Sequence, residues 1–426
     1  MIVLSGAALV LPDRILSPGT LVIDNGRIAE IRSDMPSAAT PTPFAFHGHY
    51  IVPGFIDVHV HGVDGVDTLD SPSAIGTIAS ALPRYGVTAF CPTTVACGPA
   101  ALRAVLDQVR RARETRVPRA ARVLPAHLES NFINPAYRGA QPLRCLRNAP
   151  LASAGSRGSH GKGRASGSVT AGSGESRGLC PSADSEASEF TADDILREIE
   201  RAAPDVGIVT LAPEIAGGLD LLRWLTARGH RVSLGHSGAT YDEALEAIAA
   251  GAKQGTHLFN RMPPLDHRAP GLVGAVLQAE EVAAEIICDG VHVHPAVVRA
   301  TIAAKRPSRV LAITDGTAAS GLLPGSRAML GGQPIVASSS AALLEDGTMA
   351  GSVVTMDRAF QVLVGRVGLS LVDAVTVSST TPARELGLVG YGVLASDAVA
   401  DLVVLDPNFT VVQTYVAGHL VYSRKS

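Results

Sequence analysis

The chain has 426 residues, of which 46% are hydrophobic and 18% charged, with a formal net charge of −3. That length suits one large barrel domain or about three smaller ones, and the composition is that of an ordinary globular protein with a sizeable core. Arg and Lys are scattered rather than gathered into a stripe, so nothing suggests nucleic acid or an anionic membrane as a partner.

Residues 1–52 read as short strands. Leu21-Val22-Ile23 and Ile28-Ala29-Glu30-Ile31 flank Asp24-Asn25-Gly26, a hairpin signal because Asn-Gly tolerates positive φ. From residue 53 onward, apolar runs alternate with helical patterns. Eight strand candidates fall at about 54–58, 87–91, 122–128, 206–211, 231–235, 254–257, 284–288 and 309–314, with helices such as 73–84, 240–250 and 294–304 following them. Thr191-Ala192-Asp193-Asp194 has the pattern of a capping box opening another helix. Strand–helix alternation implies a parallel sheet, and eight units imply a closed (β/α)8 TIM-type barrel; a doubly wound open sheet is the alternative.

One segment does not fit the alternation. From Ala152 to Arg177 the chain is almost all Ser, Gly, Ala, Arg and Thr. Such a composition buries too little surface to offset ordering entropy, so a disordered insertion is expected at about 150–188, with His160 and Cys180 as bystanders. Towards residue 426, Asp401–Leu405 reads as a strand, and 411–416 pairs with 419–423 through Ala417-Gly418. The expected organisation is a small β-sandwich domain from residues 1–52 and 389–426 beside a barrel of 53–388.

Cys91, Cys97, Cys145, Cys180 and Cys288 have no regular spacing and no CxxC pair, so they make neither a disulfide framework nor a zinc knuckle. No apolar run reaches the ~18 residues of a membrane span. Met1-Ile2-Val3-Leu4 lacks the basic start of a signal peptide, and the expected location is the cytoplasm.

The chemistry begins at Gly54-Phe55-Ile56-Asp57-Val58-His59-Val60-His61-Gly62, where an apolar strand delivers two histidines two residues apart. Side chains at i and i+2 share one face of a strand, so both imidazoles can turn inward and share a cation. On its own the pair could be two partly buried histidines. The pattern recurs, however: Glu129, His236, His257 and Asp315 each stand at the end of a strand candidate. The C-terminal rim of a barrel is where catalytic groups gather. Imidazole and carboxylate ligands suit Zn²⁺ first, with Fe²⁺, Co²⁺ or Mn²⁺ as alternatives. A cation with an open position lowers the pKa of water toward ~7 and polarises a carbonyl. Asp315 is then the candidate to take the proton from the attacking water and return it to a leaving amine.

With these motifs in place, the chain resembles the N-acetylglucosamine-6-phosphate deacetylases of the amidohydrolase superfamily. The resemblance covers most of the chain outside 150–188. It is carried by Pro53–Gly62, His127-Leu128-Glu129, Gly235-His236-Ser237, Thr256-His257-Leu258-Phe259-Asn260, Pro270-Gly271-Leu272, Asp289-Gly290-Val291-His292, Thr314-Asp315-Gly316 and Ala350-Gly351-Ser352. It implies hydrolysis of N-acetylglucosamine 6-phosphate to glucosamine 6-phosphate and acetate. It also implies a principal metal site of Glu129, His236 and His257, a second ion on His59 and His61 in some relatives, and Asp315 as acid/base. Asn260, Arg261, Arg268, His292 and the loop Met349-Ala350-Gly351 match positions that hold the sugar phosphate, with Ala140 and Gln141 near the acetyl group. In the family, the Arg matching Arg268 and the His matching His292 reach a neighbouring subunit's substrate, which implies a homodimer.

The chain departs from the family pattern in three places. Ser130-Asn131 follows Glu129 where Gly-Pro is usual. Gln141 replaces a His that helps polarise the acetyl carbonyl; it can donate a neutral hydrogen bond but no proton or positive charge. Arg261 replaces an Ala and adds a cation whose fork suits phosphate. All three are expected in the substrate pocket rather than among the metal ligands. Two other readings are therefore carried: an amidohydrolase for a different N-acyl amino sugar or small amide, and a catalytically silent relative that binds a ligand or partner.

Overall fold

The computed structural model describes residues 1–33, 44–115, 117, 119–150 and 190–425. The insertion expected at about 150–188 lies, apart from Pro150, outside the described residues.

The eight apolar runs become eight barrel strands: β1 (Phe55–Val60), β2 (Val87–Thr94), β3 (Arg122–Val123 with Ala126–Glu129), β4 (Val206–Leu211), β5 (Arg231–Leu234), β6 (Gln254–Gly255), β7 (Ala283–Ile287) and β8 (Val310–Ile313). Each pairs parallel with the next in order. The ring closes between β8 and β1. The Asp315 N–H donates to His59 O at 3.0 Å, and the N–H groups of His61 and Gly62 donate to Gly316 O at 2.7 and 3.0 Å. This closure excludes the open doubly wound sheet.

Local chemistry explains the deviations from the predicted runs. Pro125 has no N–H to give to a ladder, and β3 breaks across Leu124-Pro125. β6 stops at Gly255 and His257 adopts φ 28°, outside the extended region, so it sits past the strand rather than on it. The helices fall where expected, at Ala74–Ala81, Tyr241–Ala249 and Pro295–Lys305. The capping box of Thr191 with Asp194 opens helix Ala192–Arg201.

All eight residues of β2 are buried, as a strand covered on both faces requires. One apolar cluster includes Ile208, Ala283, Ile287, Leu311 and Ile313, with Leu386, Leu388 and Tyr391 packed against it. On β7, Ala283 and Ile287 share a face with Glu285, so a carboxylate stands in line with the apolar filling.

The terminal segments form one eight-stranded sheet in the order 419–423, 411–416, 402–405, 50–53, 2–10, 15–24, 27–32, with 44–45 beside 2–10. Its centre is the antiparallel pairing of Tyr50–Pro53 with Leu402–Leu405. The hairpin turns at Asn25 (φ 48°) and Gly26 (φ 77°). Ala400 joins the two arms, donating its N–H to Gly26 O at 2.9 Å and accepting from Gly418 N–H at 2.8 Å. The two layers of the sandwich are thus the arms of one continuous sheet, folded over Leu4, Leu9, Leu21, Ile51, Leu402 and Tyr415.

The strand–helix rhythm did not foreshadow a three-stranded antiparallel sheet after β8, formed by Arg327–Leu330, Gln333–Ala337 and Ala342–Leu344. No helix among the described residues is long and apolar enough to cross a membrane.

Candidate metal and active site

Three donor atoms converge at one point on the barrel rim. Glu129 Oε1, at the end of β3, lies 2.8 Å from His236 Nε2 and 2.8 Å from His257 Nε2, and those two nitrogens are 3.1 Å apart. The His236 ring donates through Nδ1 to Tyr137 O at 2.8 Å, which leaves the Nε2 lone pair for the rim. A second group adjoins the first. His59 Nε2 and His61 Nε2 are 3.3 Å apart and lie 3.3 and 3.4 Å from Asp315 Oδ1. Glu129 links the two, with Oε1 3.6 Å from His59 Nε2 and Oε2 3.4 Å from His61 Nε2. Both triads are buried, and the ligand atoms of each lie within 4.8 Å of one another.

Backbone conformation puts three of these side chains where they are. His236, His257 and Asp315 all have positive φ (48°, 28° and 47°), each two residues beyond its strand. Such conformations cost an L-residue about 1–3 kcal/mol and persist where the surrounding structure enforces them.

Glu129, Glu285 and Asp315 are three carboxylates buried close together, and they require compensating positive charge. Burial opposes a proton on His59 and His61. The carboxylates around them outweigh it, holding His59 up at about 9 and His61 up at about 10. Against its own burial, Glu129 is held well below the usual carboxylate range by His236, His257 and His61. Asp315 is lowered against burial by His59 and His61. Clustered imidazole lone pairs and carboxylate oxygens of this kind are the donor set of a divalent cation, and the residues fit one.

A cavity of about 440 Å³ opens over the rim. His61, Glu129, His236, His257 and Asp315 form its floor, while His59 is fully buried beneath it. Ala140 and Gln141 line one side; Asn260, Arg261 and His292 line another. Met349, Ala350 and Gly351 complete the wall, tied to the extra sheet by Ala350 N–H to Ala342 O at 2.8 Å. Arg261 donates to Met349 O at 2.8 Å, and among the described residues no carboxylate pairs with it. His292 Nδ1 is 2.6 Å from Asp289 Oδ2, and this carboxylate raises its pKa against burial. An uncompensated guanidinium beside an imidazole makes this side of the cavity receptive to an anion.

One expectation needs correction. Ser130 and Asn131 do not line the cavity. They are buried behind Glu129, where Ser130 Oγ donates to Thr210 O at 2.6 Å and Asn131 Nδ2 to Cys97 O and Cys145 O at 2.9 and 2.7 Å. Short polar side chains there hold backbone behind the ligand, which is packing rather than substrate contact. Arg268 is exposed on the loop before helix Gly271–Gln278 and stands apart from the lining of its own chain's cavity, whereas His292 faces it. Gln141 does line the cavity. Its amide donates to Glu129 Oε2 and accepts from Ala96 N–H at 2.7 Å, so both ends are engaged.

Sequence reasoning missed Glu285. Its Oε2 lies 2.9 Å from His59 Nδ1 and 3.2 Å from the His257 N–H, so one carboxylate touches both halves of the site. The available signal was a lone acidic residue inside the run Val282-Ala283-Ala284-Glu285-Ile286-Ile287.

Comparisons with known proteins bear on the family and the fold. The amidohydrolase family profile matches residues 50–421. Human N-acetylglucosamine-6-phosphate deacetylase is 34% identical over 422 residues, spanning 96% of this chain and 90% of the human one. An Asp-to-Ala variant of N-acetyl-D-glucosamine-6-phosphate deacetylase from Mycobacterium smegmatis, solved in complex with N-acetyl-D-glucosamine-6-phosphate, is 30% identical. It superposes with a TM-score of 0.82, covering 99% of both chains. The Thermotoga maritima N-acetylglucosamine-6-phosphate deacetylase structure is 27% identical with a TM-score of 0.79, covering 99% of this chain and 100% of its own.

Proposed function

The chain belongs to the amidohydrolase family, among the N-acetylglucosamine-6-phosphate deacetylases, and from that premise we propose that it hydrolyses N-acetylglucosamine 6-phosphate to glucosamine 6-phosphate and acetate. One observation carries the reading: the convergence of Glu129, His236 and His257 on the floor of a cavity whose wall holds the uncompensated Arg261. The floor suits the amide and the wall suits the phosphate.

We assign the principal cation, Zn²⁺ by preference, to Glu129, His236 and His257, and a second to His59, His61 and Asp315. A bound divalent cation supplies Lewis-acid polarisation of the acetyl carbonyl and acidifies water. The chain's own residues do the rest. Asp315, ionised because the neighbouring imidazoles hold its pKa down, accepts a proton from the attacking water. It then delivers that proton to the sugar nitrogen as the C–N bond breaks, releasing acetate and the free amine. Arg261, Asn260, His292 and the 349–351 loop bind the phosphate. The cavity walls orient the sugar so that the amide lies over the floor. In this reading the working form is a cytoplasmic homodimer in which the exposed Arg268 reaches the partner's substrate.

A second reading, turnover of a different N-acyl amino sugar, draws on Gln141. Its amide is engaged at both ends and carries no positive charge toward an acyl oxygen. Acetate release from N-acetylglucosamine 6-phosphate, with and without chelator, separates the two. Rapid, chelator-sensitive release supports the first reading. Absence of release from metal-loaded protein, with turnover on another member of an N-acyl panel, supports the second.

A further inference from the structure

The carboxylate of Glu285 does not stand alone beneath the rim. Its Oε1 accepts from Gln254 Nε2 at 2.5 Å. Gln254 Oε1 in turn accepts from Arg231 Nε at 2.6 Å, and Arg231 is anchored by Glu385 Oε2 at 2.6 Å and Glu385 O at 3.0 Å. A line of four polar side chains therefore runs through the barrel interior from Arg231 at the start of β5 to His59 at the rim.

The line has only one possible polarity. A guanidinium only donates. Gln254 must then present its oxygen to Arg231 and its NH₂ to Glu285. Glu285 accepts from Gln254 on one oxygen, and its other oxygen is left to accept from His59 Nδ1–H and the His257 N–H. With Nδ1 carrying the hydrogen, the lone pair of a neutral His59 ring resides on Nε2, the atom that faces His61 and Asp315. We propose that Arg231, Gln254 and Glu285 form a positioning relay that sets the tautomer of His59 and so makes it a ligand for the second cation.

A rival use of the same carboxylate is a cation shared with His59 and His127, whose donor atoms also cluster with it. The hydrogen bonding argues against that. Both His127 nitrogens already have neutral partners, Nδ1 with Val58 O at 3.0 Å and Nε2 with Thr210 Oγ1 at 2.7 Å. Glu285 acts on His59 through a hydrogen bond rather than through a shared ion.

The test is Zn²⁺ affinity, measured by competition with a chromophoric chelator, on the wild type, on Glu285→Gln, and on the double variant that combines Glu285→Gln with Gln254→Glu. In the single variant, Gln254 still offers NH₂, so the new amide must turn its oxygen to Gln254 and its own NH₂ to His59. The ring is then forced to the other tautomer, and the second Zn²⁺ binds about 10–100-fold more weakly, the usual cost of losing such a partner. The double variant keeps the size of both side chains and restores the polarity. The carboxylate introduced at position 254 would accept from Arg231 and from the new NH₂, and residue 285 would again present oxygen to Nδ1–H. Second-site affinity should return toward wild type.

Wild-type affinity in Glu285→Gln, no recovery in the double variant, or uptake of a single ion by the wild type would each overturn the relay. The inference rests on the metal reading and not on the substrate. If the relay's affinity pattern appears without acetate release, the substrate falls and the relay stands.

Discussion

The Nε2 atoms of His236 and His257 lie 3.1 Å apart, each 2.8 Å from the same oxygen of Glu129. Two imidazole nitrogens this close cannot both present lone pairs unless positive charge lies between or beside them, so this point of the barrel is built to hold a cation. A ligand at a hundredfold excess over its Kd stabilises the fold by about 2.7 kcal/mol. Chelation should therefore lower the thermal midpoint by several degrees, and Zn²⁺ should restore it. In Glu129→Gln the response should disappear. Equal midpoints for the chelated and the reconstituted wild type would remove the principal site from the assignment.

Asp315 Oδ1 is held by two imidazoles, 3.3 Å from His59 and 3.4 Å from His61, on the cavity floor. Asp315→Asn keeps an oxygen for these contacts and loses the ability to carry a proton. Turnover on N-acetylglucosamine 6-phosphate should fall about 10²–10⁴-fold, with KM little changed and the principal ion retained. An unchanged kcat would take Asp315 out of the proton transfer.

Arg261 faces the cavity of its own chain and has no carboxylate partner among the described residues. Hydrogen bonds to charged groups contribute about 1.5–3 kcal/mol, so Arg261→Ala should raise KM about 10–100-fold for the phosphorylated substrate and much less for N-acetylglucosamine. Arg268→Ala should show the same selectivity if Arg268 reaches the partner's site. Equal effects on both substrates would show that the arginine in question serves the fold and not the phosphate.

Asp67 is almost fully buried, and burial pushes its pKa up to about 7 despite hydrogen bonds from the Leu69 and Gly331 N–H groups. A folded pKa above the unfolded value of 3.8 favours the protonated carboxyl in the fold. Its stabilising contribution is complete below pH 3.8, declines as pH rises and is gone above about 7, a span of ~4 kcal/mol. Asp67→Asn, which does not titrate, should gain on the wild type as pH climbs from 5 to 7 and hold a constant lead above that. Parallel melting curves across pH 5 to 8 would rule this out.

Much of the site was legible because the barrel uses period-two strands and ends them with polar residues. His59, Glu129, His236, His257 and Asp315 could each be read as a chemistry-bearing group at or near the end of a strand candidate, and the structure brings them to one rim. Glu285 was not legible for the opposite reason. It sits inside an apolar run, where a strand reading counts it as filling, and its partners Gln254 and Arg231 come from two other strands. Ser130 and Asn131 misled because sequence neighbours of a ligand need not face the ligand's cavity. The sheet over 327–344 follows β8 without the apolar periodicity that marked the barrel strands, and its cover of the cavity is a tertiary fact.

The antiparallel pairing of Tyr50–Pro53 with Leu402–Leu405 also has a consequence during synthesis. The earlier strand leaves the ribosome on the order of 350 residues before its partner, and at ~5–20 residues per second that is a wait of tens of seconds. Throughout it, the Tyr50–Pro53 strand carries an unsatisfied edge, and Leu4, Leu9 and Ile51 lack the apolar cover that Leu402 and Tyr415 later give. The ring also closes late, though before the terminal sheet, because the Asp315 N–H that locks onto His59 O belongs to the last barrel unit. The nascent chain thus passes most of its elongation with the sheet unclosed and the ligands apart, and this is the interval in which a chaperone would find the most to hold.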